Sequence, residues 1–292
     1  MSELQRLTGK ICIVTGASAG IGKATALGLA KLGAHVVLVV RDRGRGQAAI
    51  DQLVASGIQA EQLELMICDF SSQKSIRQFA AEFKHKHDRL HVLVNNAGVV
   101  MMERKETVDG LETTFATNHL GYFLLTTLLL DELKASAPAR VVNVSSAAHS
   151  GKPLDFDDLQ STRGYAGFGV YGASKLANLY FTFELAERLK GTGVTVNALH
   201  PGVVASSFGA NNRGLLKFAL TLVRPFFISE EKGARTSLYL AASPEVEGVT
   251  GKYFAKCQEA KRKRVSYDQA AAKRLWEVSE SLVAASAAHS VA

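Results

Sequence analysis

A tyrosine and a lysine, Tyr171 and Lys175, lie four residues apart in the segment YGASK. On a helix this spacing places both side chains on one face, where they can act on the same substrate. A phenol exchanges protons poorly near neutrality because its ordinary pKa is about 10, and a nearby ammonium group stabilises the phenolate. The pair is therefore a candidate for acid–base chemistry at Tyr171 assisted by Lys175. A Tyr/Lys pair exposed on a helix surface is the ordinary alternative.

Two further polar residues are candidates to handle a substrate oxygen. Ser146 follows a predicted strand, Arg140–Ser145, and would lie at the carboxyl edge of the sheet, where it can hydrogen-bond a carbonyl. Either serine can instead tie down the following loop, which is the role expected of Ser145. Asn118 lies in a predicted apolar helix, where an amide is disfavoured unless it has partners. It either holds a proton-relaying water or packs as a satisfied amide.

A glycine-rich segment, TGASAGIG, lies between the β-branched run Lys10–Thr15 and the helical pattern Lys23–Leu32. In that context glycines let backbone amides approach a pyrophosphate. Their spacing, Gly-x-x-x-Gly-x-Gly, departs from the most widespread dinucleotide fingerprint, so an ordinary strand-to-helix turn is the alternative. The order strand, turn, helix favours a dinucleotide site. The residues of this segment predicted to bind the cofactor are Gly16, Ser18, Ala19, Gly20, Ile21 and Gly22.

The residues after the second and third predicted strands indicate which dinucleotide would bind. Val40 occupies the position where an acidic side chain would bind a ribose 2′-hydroxyl, and Arg41 follows it. A guanidinium at that point can bind a 2′-phosphate, although the neighbouring Asp42 weakens the argument. The prediction is NADP(H), with the Ser18 hydroxyl as a further phosphate ligand. Asp69 either accepts a hydrogen bond from the adenine amino group or caps the helix that follows.

Apolar runs and helical patterns alternate along the chain. Runs this apolar are typical of strands covered on both faces, as in a parallel sheet wrapped by crossover helices. We therefore predict one doubly wound, Rossmann-type α/β domain spanning residues 1–292, with a mostly parallel seven-stranded sheet. Residues 203–228 are predicted to form a substrate lid, and residues 256–292 a basic C-terminal extension. The predicted strands are Lys10–Thr15, Ala34–Arg41, Leu63–Cys68, Leu90–Val94, Arg140–Ser145, Val194–His200 and Thr250–Phe254, and the long helices include Leu111–Lys134 and Tyr171–Leu189.

Composition narrows the class of protein further. The 292 residues are 47% hydrophobic and 21% charged, which suits a globular domain with a sizeable core. Apolar runs fall short of the roughly 20 residues that a membrane span needs, so we expect a cytoplasmic protein without an integral membrane anchor. The three cysteines are widely spaced and predict no metal site. The basic run Lys261–Arg264 is either a solvated surface or a contact with acidic lipid or nucleic acid, and no nucleic acid partner is expected.

These motifs occur together, and in this order, in a known family. From Leu7 to Tyr253 the sequence resembles the short-chain dehydrogenases/reductases. The matching segments are TGASAGIG (15–22), CDF (68–70), NNAG (95–98), Asn118, VNVSS (142–146), YGASK (171–175) and HPGVV (200–204). The resemblance implies a catalytic tetrad of Asn118, Ser146, Tyr171 and Lys175, with Tyr171 and Lys175 also touching the cofactor. The further cofactor-binding residues that it implies are Phe70, Asn95, Ala97, Gly98, Pro201, Gly202, Val203 and Val204.

Longer segments, such as RVVNVSSAAHSGK at 140–152, resemble the retinol dehydrogenase branch of that family. The resemblance implies NADP(H)-dependent hydride exchange between nicotinamide C4 and the carbonyl or alcohol carbon of a small molecule, with carbonyl reduction as the expected direction. Tyr171 would give or take the proton, while Lys175 would lower the pKa of Tyr171 and bind the nicotinamide ribose. An apolar, retinal-like or other lipophilic substrate is expected. The side chains that would form its cleft are Phe156, Phe168, Phe208, Leu215, Leu216, Phe218 and Phe226.

Two questions stay open at the level of sequence. Relatives often pair through the helices that hold Asn118 and Tyr171, and the apolar run Tyr122–Leu130 would suit a homo-oligomer. Burial inside one subunit explains that run equally well. The alternative function is a non-catalytic, NADP(H)-loaded binding or regulatory protein that uses its basic C-terminal segment to engage an anionic partner.

Overall fold

The computed structural model describes residues 4–150, 152–202 and 228–289. Strands and helices alternate through these residues, as the apolar periodicity predicts. The strands are β1 (Ile11–Thr15), β2 (His35–Val40), β3 (Leu63–Ile67), β4 (Val92–Asn95), β5 (Ala139–Val144), β6 (Val194–His200), β7 (Tyr253–Ala255) and β8 (Gln258–Glu259). The helices are α1 (Gly20–Lys31), α2 (Arg43–Ala55), α3 (Gln73–Lys86), α4 (Thr113–Phe115), a π-helical segment (Ala116–Leu120), α5 (Gly121–Leu128), α6 (Leu130–Ala135), α7 (Gly167–Arg188), α8 (Glu230–Ala242) and α9 (Gln269–His289).

The strands form one sheet in the order β3-β2-β1-β4-β5-β6-β7-β8. Strands β1 to β7 are parallel, which confirms the doubly wound α/β prediction. The sheet has eight strands rather than the predicted seven. The extra strand, β8, pairs antiparallel with β7 because the chain reverses through Lys256 and Cys257, which both have positive φ. The strand order reverses between β2, β1 and β4, and ligands bind such sheets at the carboxyl ends beside that reversal.

Both faces of the sheet are buried. Along β1, Ile13 packs into one apolar layer, whereas Cys12 and Val14 pack into the other. Alternate residues of a strand point to opposite faces, so an uninterrupted apolar strand needs helices on both sides. One layer includes residues of α3, α5, α7 and α9, and the other includes residues of α1, α2 and α8. Burying each large aliphatic or aromatic side chain contributes about 1.5–3 kcal/mol, and this fixes the strand ends that carry the site.

The predicted helix Leu111–Lys134 is interrupted. Glu112 caps its first turn, because the carboxylate oxygens accept hydrogen bonds from the amides of Thr114 and Phe115 at 2.8 and 2.6 Å. A π-helical segment then carries Asn118, and the helical axis breaks again at Leu129, whose φ is −108°. The spacing of apolar residues in the sequence does not reveal a π-helical turn, because its one extra residue shifts the apolar stripe of the helix only slightly.

The apolar run Tyr122–Leu130 packs into the core of the same chain, where its Phe123 contacts the C-terminal helix. The Trp276 ring of α9 lies 4.8 Å from that of Phe123 and 6.1 Å from that of Phe181, centroid to centroid. The Arg188 guanidinium covers the Trp276 ring at 4.1 Å. The face considered for subunit pairing is therefore buried inside one chain at this run.

The described part of the predicted basic extension, up to residue 289, packs on the domain. Arg262 stacks between the rings of Phe183 and Tyr267, 3.8 and 4.0 Å from the guanidinium carbon to each centroid. Its neighbours Lys261, Lys263 and Arg264 are exposed. Of the predicted lid, residues 203–227 lie outside the described part of the chain. Within the described residues, no helix combines the length and the apolarity needed to span a membrane.

Candidate active site and cofactor cavity

A cavity of about 730 Å³ opens at the carboxyl ends of the central strands, beside the reversal of strand order. Most of the residues predicted to bind a cofactor line it, although they come from separate parts of the chain. Val203 and Val204 lie outside the described residues. The predicted residues that line the cavity are Gly16, Ser18, Ala19, Gly20, Ile21, Gly22, Arg41, Asp69, Phe70, Ala97, Gly98, Tyr171, Lys175, Pro201 and Gly202.

The glycine segment forms a floor that no side chain could replace. Gly16 has a φ of +68°, and a Cβ placed on it would lie 2.9 Å from the Cα of Ala97. A Cβ on Gly22 would clash with the Gly16 carbonyl oxygen. Helix α1 begins at Gly20, so its amino terminus and partial positive charge face this floor. This cradle fits a pyrophosphate.

The two asparagines of NNAG have different positions. Asn95 is fully buried in the sheet, where its Nδ2 donates to Thr126 Oγ1 and to Asn143 Oδ1, each at 2.9 Å. It does not line the cavity, because it ends β4 pointing into the helical layer. Asn96 does line the cavity, and its Nδ2 donates to the Thr15 carbonyl at 2.7 Å. Asn95 therefore steadies the strand ends, and Asn96 is one of the cavity residues that sequence reasoning missed.

Two arginines rim the end of the cavity beside β2, where the adenosine is predicted to bind. Arg41 follows β2, and Arg45 lies in the first turn of α2; both line the cavity and both are exposed. Asp42, which weakened the argument for a 2′-phosphate, caps α2: its Oδ1 accepts a hydrogen bond from the Arg45 amide at 2.8 Å. Arg45 was not predicted, although a second arginine in the first turn of the helix that follows β2 is a usable signal.

Asp69 lies at the cavity wall but is not the cap of α3. Its Oδ1 accepts hydrogen bonds from the amide and hydroxyl of Ser71, at 2.9 and 2.7 Å. Ser72 is the capping residue, and its hydroxyl accepts from the Ser75 amide at 3.3 Å. The capping alternative for Asp69 is thus wrong, and its carboxylate remains at the cavity wall, close to Phe70.

Tyr171 and Lys175 lie near the start of α7, which begins one turn earlier than predicted. The Lys175 ammonium nitrogen Nζ lies 5.7 Å from the centroid of the Tyr171 ring, on the same helix face. Nζ donates to the Val144 carbonyl at the end of β5, at 2.9 Å. Ser145 donates through Oγ to the Lys175 carbonyl at 2.8 Å, so it ties the end of β5 to α7 and not, as predicted, to the loop that follows it. The sheet thus anchors the helix at Lys175.

Burial shifts the proton affinities of both groups. It raises the pKa of Tyr171 to about 12, and a hydrogen bond with Ser146, which favours the phenolate, offsets this only in part. Burial lowers the pKa of Lys175 to about 7, because it disfavours the charged ammonium form. The expected lowering of the Tyr171 pKa is therefore not observed, because burial both opposes the phenolate and partly discharges its neighbour.

Ser146 lies half-buried in the cavity wall. Its Oγ accepts a hydrogen bond from the Ala148 amide at 3.1 Å and also bonds Tyr171. The hydroxyl thus helps to shape the following loop, as one alternative held, and it also faces the phenol. Both features place it beside the position where a substrate oxygen would meet Tyr171.

Asn118 joins the loop after β4 to α7. Its Oδ1 accepts from the Val99 amide at 2.8 Å, and its Nδ2 donates to the Val99 carbonyl at 2.9 Å and to Ser174 Oγ at 3.0 Å. A Cβ placed on Gly98 would lie 3.2 Å from Asn118 Oδ1 and 3.6 Å from Lys175 Nζ. The amide is satisfied by protein groups, as the packing alternative predicts, while it borders the same small space as Lys175.

Comparisons with known proteins agree with this geometry. The family model described as short chain dehydrogenase matches residues 10–214. Retinol dehydrogenase 12 of Mus musculus is 47% identical over 274 residues, which cover 94% of this chain and 86% of the relative. Retinol dehydrogenase 14 of Homo sapiens is 44% identical over 290 residues, with the same coverage. A Pseudomonas aeruginosa RhlG/NADP active-site complex superposes with a TM-score of 0.69 at 29% identity, covering 87% of this chain and 97% of that one. A crystal structure of a protein from Mycobacterium Paratuberculosis gives 0.78 at 33% identity, covering 96% of both chains.

Proposed function

The chain belongs to the short-chain dehydrogenase family, in its retinol dehydrogenase-like branch, and we propose that it reduces an apolar aldehyde or ketone with NADPH. Interconversion of a carbonyl and an alcohol follows from the family. One observation carries the finer proposal: Tyr171, Ser146 and Lys175 lie together in a cavity that runs from a glycine floor to an arginine-rimmed end.

The rim supports NADP(H) over NAD(H). A 2′-phosphate would meet the guanidinium groups of Arg41 and Arg45, and each charge-assisted contact is stronger than a neutral hydrogen bond. The Asp42 carboxylate caps α2, so its Oδ1 is bonded to a helix amide and is not free to accept a bond from a ribose 2′-hydroxyl. The RhlG relative was solved with NADP. When bound, the cofactor would supply the hydride, held by the glycine floor, by the arginines and, at the nicotinamide ribose, by Lys175.

Tyr171 is suited to give a proton to the substrate oxygen. Burial raises its pKa to about 12, so the phenol keeps its proton at neutral pH, and the hydrogen bond with Ser146, which lowers the pKa, restores part of the acidity that a general acid needs. The Ser146 hydroxyl, already bonded to Tyr171, would orient the carbonyl oxygen against the phenol. Lys175, whose pKa burial lowers to about 7, lies on the same helix face and would return a proton to the phenol after each turnover.

Apolar side chains around the catalytic end support a lipophilic substrate. Val100 and Met101 line the cavity, and Phe168, in the first turn of α7, is 58% exposed despite its size. An exposed aromatic ring three residues before Tyr171 is a suitable contact for a chain or ring. Phe156 is different: it packs on the core with the Arg274 guanidinium 4.5 Å from its ring. The other side chains predicted for the cleft lie outside the described residues.

The experiment that tests the proposal follows NADPH absorbance in the presence of retinal, alkanals, aromatic aldehydes, steroid ketones and small polar carbonyls. The same panel is repeated with NADH. We expect oxidation with apolar aldehydes or ketones and a clear preference for NADPH. A preference for small polar carbonyls would contradict the substrate class, and a preference for NADH would contradict the role of the arginine rim. Tight NADPH binding without oxidation of any carbonyl would instead favour the non-catalytic alternative.

A further inference from the structure

Three side chains that commonly bind metal ions converge at the opposite, amino-terminal end of the sheet. His35 is the first residue of β2, Glu64 lies on the edge strand β3, and His87 directly follows the last residue of α3. The parallel register pairs Val36 with Leu63, so His35 and Glu64 lie at the starts of neighbouring strands. One potential ligand atom from each residue lies within 4.8 Å of the other two. We call these three residues the histidine–glutamate cluster.

Both imidazole rings of the cluster direct their Nε2 atoms toward the same carboxylate oxygen, Glu64 Oε2. Nε2 of His87 lies 2.7 Å from Glu64 Oε2, and Nε2 of His35 lies 3.4 Å from it. Ligand atoms around a tetrahedral zinc ion, each about 2.0–2.2 Å from the metal, lie about 3.3–3.5 Å from one another. Small side-chain rotations would therefore place all three atoms around one ion.

The orientation of each histidine ring is set by a second contact. Nδ1 of His35 lies 3.2 Å from the backbone carbonyl oxygen of Glu61. A carbonyl only accepts, so Nδ1 carries the hydrogen, and Nε2 is the atom directed at the carboxylate. This arrangement, with one ring nitrogen bonded to a carbonyl and the other free to ligate, is typical of metal-binding histidines. The His87 ring is held by Phe83, with centroids 4.9 Å apart.

The charge around the cluster permits a cation. Lys86 Nζ bonds Glu64 Oε1 at 2.8 Å, so it occupies the oxygen that the histidines do not address. The Lys86 side chain is 51% exposed and can turn toward solvent if an ion repels it. The three cluster side chains are 32%, 19% and 16% exposed for His35, Glu64 and His87, which leaves a path for an ion to enter.

We propose that His35, Glu64 and His87 bind one Zn²⁺ ion, with water completing its coordination. Two imidazoles and a carboxylate form a donor set that suits zinc. The ion would be structural, because it would connect β2 and β3 to the end of α3 at the end of the sheet opposite the catalytic cavity. This connection would hold the edge strand of the sheet in place.

The test uses tag-free full-length chain, because a polyhistidine tag binds the same ions. After treatment with a chelator, the protein is titrated with ZnCl₂ by calorimetry and its melting temperature is followed in parallel. We expect one Zn²⁺ ion per chain and a rise in melting temperature. His87→Gln should weaken binding by at least about ten-fold, because it removes one of three protein ligands. The matched control is His85→Gln, which changes an exposed histidine of the same helix and should leave the affinity unchanged.

A second measurement distinguishes the cluster from other zinc-binding groups and from misfolding. Co²⁺ replaces Zn²⁺, and its visible spectrum reports nitrogen and oxygen ligands in tetrahedral geometry. We expect this spectrum in the native chain and in His85→Gln, but not in His35→Gln or His87→Gln, while circular dichroism shows all four proteins folded. Equal binding by His87→Gln and His85→Gln would overturn the proposal. Absence of saturable Zn²⁺ binding in the native chain would also overturn it, and would show that the cluster is only a hydrogen-bonded ion pair.

Discussion

The two halves of α7 each bury a large side chain, and the two side chains have opposite character. Lys175, in the amino-terminal half, is 3% exposed, and Phe181, in the carboxyl-terminal half, is 2% exposed. Burial of the ammonium group opposes its charged form and lowers its pKa to about 7. Burial of the Phe181 ring against Phe123 and Trp276 removes apolar surface from water and stabilises the fold. Burial of Lys175 in the catalytic half of α7 therefore lowers the stability of the fold, and burial of Phe181 in the packing half raises it.

Replacing a tyrosine by phenylalanine in each half of α7 should separate effects on the turnover rate from effects on the free energy of unfolding most clearly. Tyr171→Phe removes the proton donor, and we expect turnover to fall by roughly 10²–10⁴-fold while NADPH affinity changes little. Tyr180→Phe removes a hydroxyl that donates to the Val265 carbonyl at 2.7 Å, so it should cost about 1 kcal/mol of stability and leave kcat near normal. Steady-state kinetics and urea unfolding of both variants check this. Near-normal turnover in Tyr171→Phe would disprove its assignment.

The packing against the second half of α7 can be disrupted by removing the Trp276 ring of α9. Trp276 is 6% exposed, and Trp276→Ala should reduce the free energy of unfolding by about 3–5 kcal/mol through loss of buried surface and creation of a cavity. Urea denaturation followed by circular dichroism measures the change. Glu277→Ala, at the exposed neighbouring position, is the control and should be close to neutral. An equal loss in the two variants would show that α9 contributes little to the core.

The destabilisation caused by burying Lys175 should make the free energy of unfolding depend on pH. The unfolded chain keeps the Lys175 proton up to the ordinary pKa of 10.5, whereas the folded protein releases it above about 7. The folded state therefore binds fewer protons between these values, and this group makes the protein more stable as the pH rises. Between pH 7 and pH 9 the gain is about 2 kcal/mol.

Lys175→Met should abolish that part of the pH dependence, because methionine has no proton to release. Urea unfolding at pH 7 and pH 9, without added cofactor, measures the difference for both proteins. Lys190→Met, at an exposed lysine paired with Glu187, should retain the pH dependence of the native chain. The same slope in Lys175→Met and in the native chain would mean that Lys175 titrates like an exposed lysine.

At the rim of the cavity, a change should affect ligand binding and leave stability unchanged. Arg41 is exposed, and Arg41→Ala should raise the KM for NADPH by about ten-fold through loss of a charge-assisted contact, with little effect on the KM for NADH. The KM ratio of the two cofactors measures this preference. Arg43→Ala, at an exposed arginine that does not line the cavity, is the control. An equal change in the KM values for NADPH and NADH would show that Arg41 does not contact the 2′-phosphate.

Much of the fold could be predicted because its signals are local. The boundaries of β6 match the prediction at both ends, since an apolar run between turns has few other structures available. The interruption of the helix around Asn118 could not be predicted, because a π-helical segment depends on contacts such as those from Asn118 to Val99, which is distant in sequence. Likewise, NNAG predicts a site near these residues, but the burial of Asn95 and the exposure of Asn96 to the cavity depend on how β4 ends in the sheet.

The sequence by itself determined the alternation of strands and helices, the glycine floor, the Tyr171–Lys175 pair and the arginine after β2. These features need only short spacings, because chain stereochemistry and periodicity act over a few residues. Tertiary structure alone decided three others: the covering of Phe123 by Trp276, the lowered pKa of Lys175 and the meeting of His35, Glu64 and His87. Each of these three features depends on contacts between residues far apart in the chain and on the exclusion of water by packing. Neither the long-range contacts nor the excluded water can be read from a local sequence pattern.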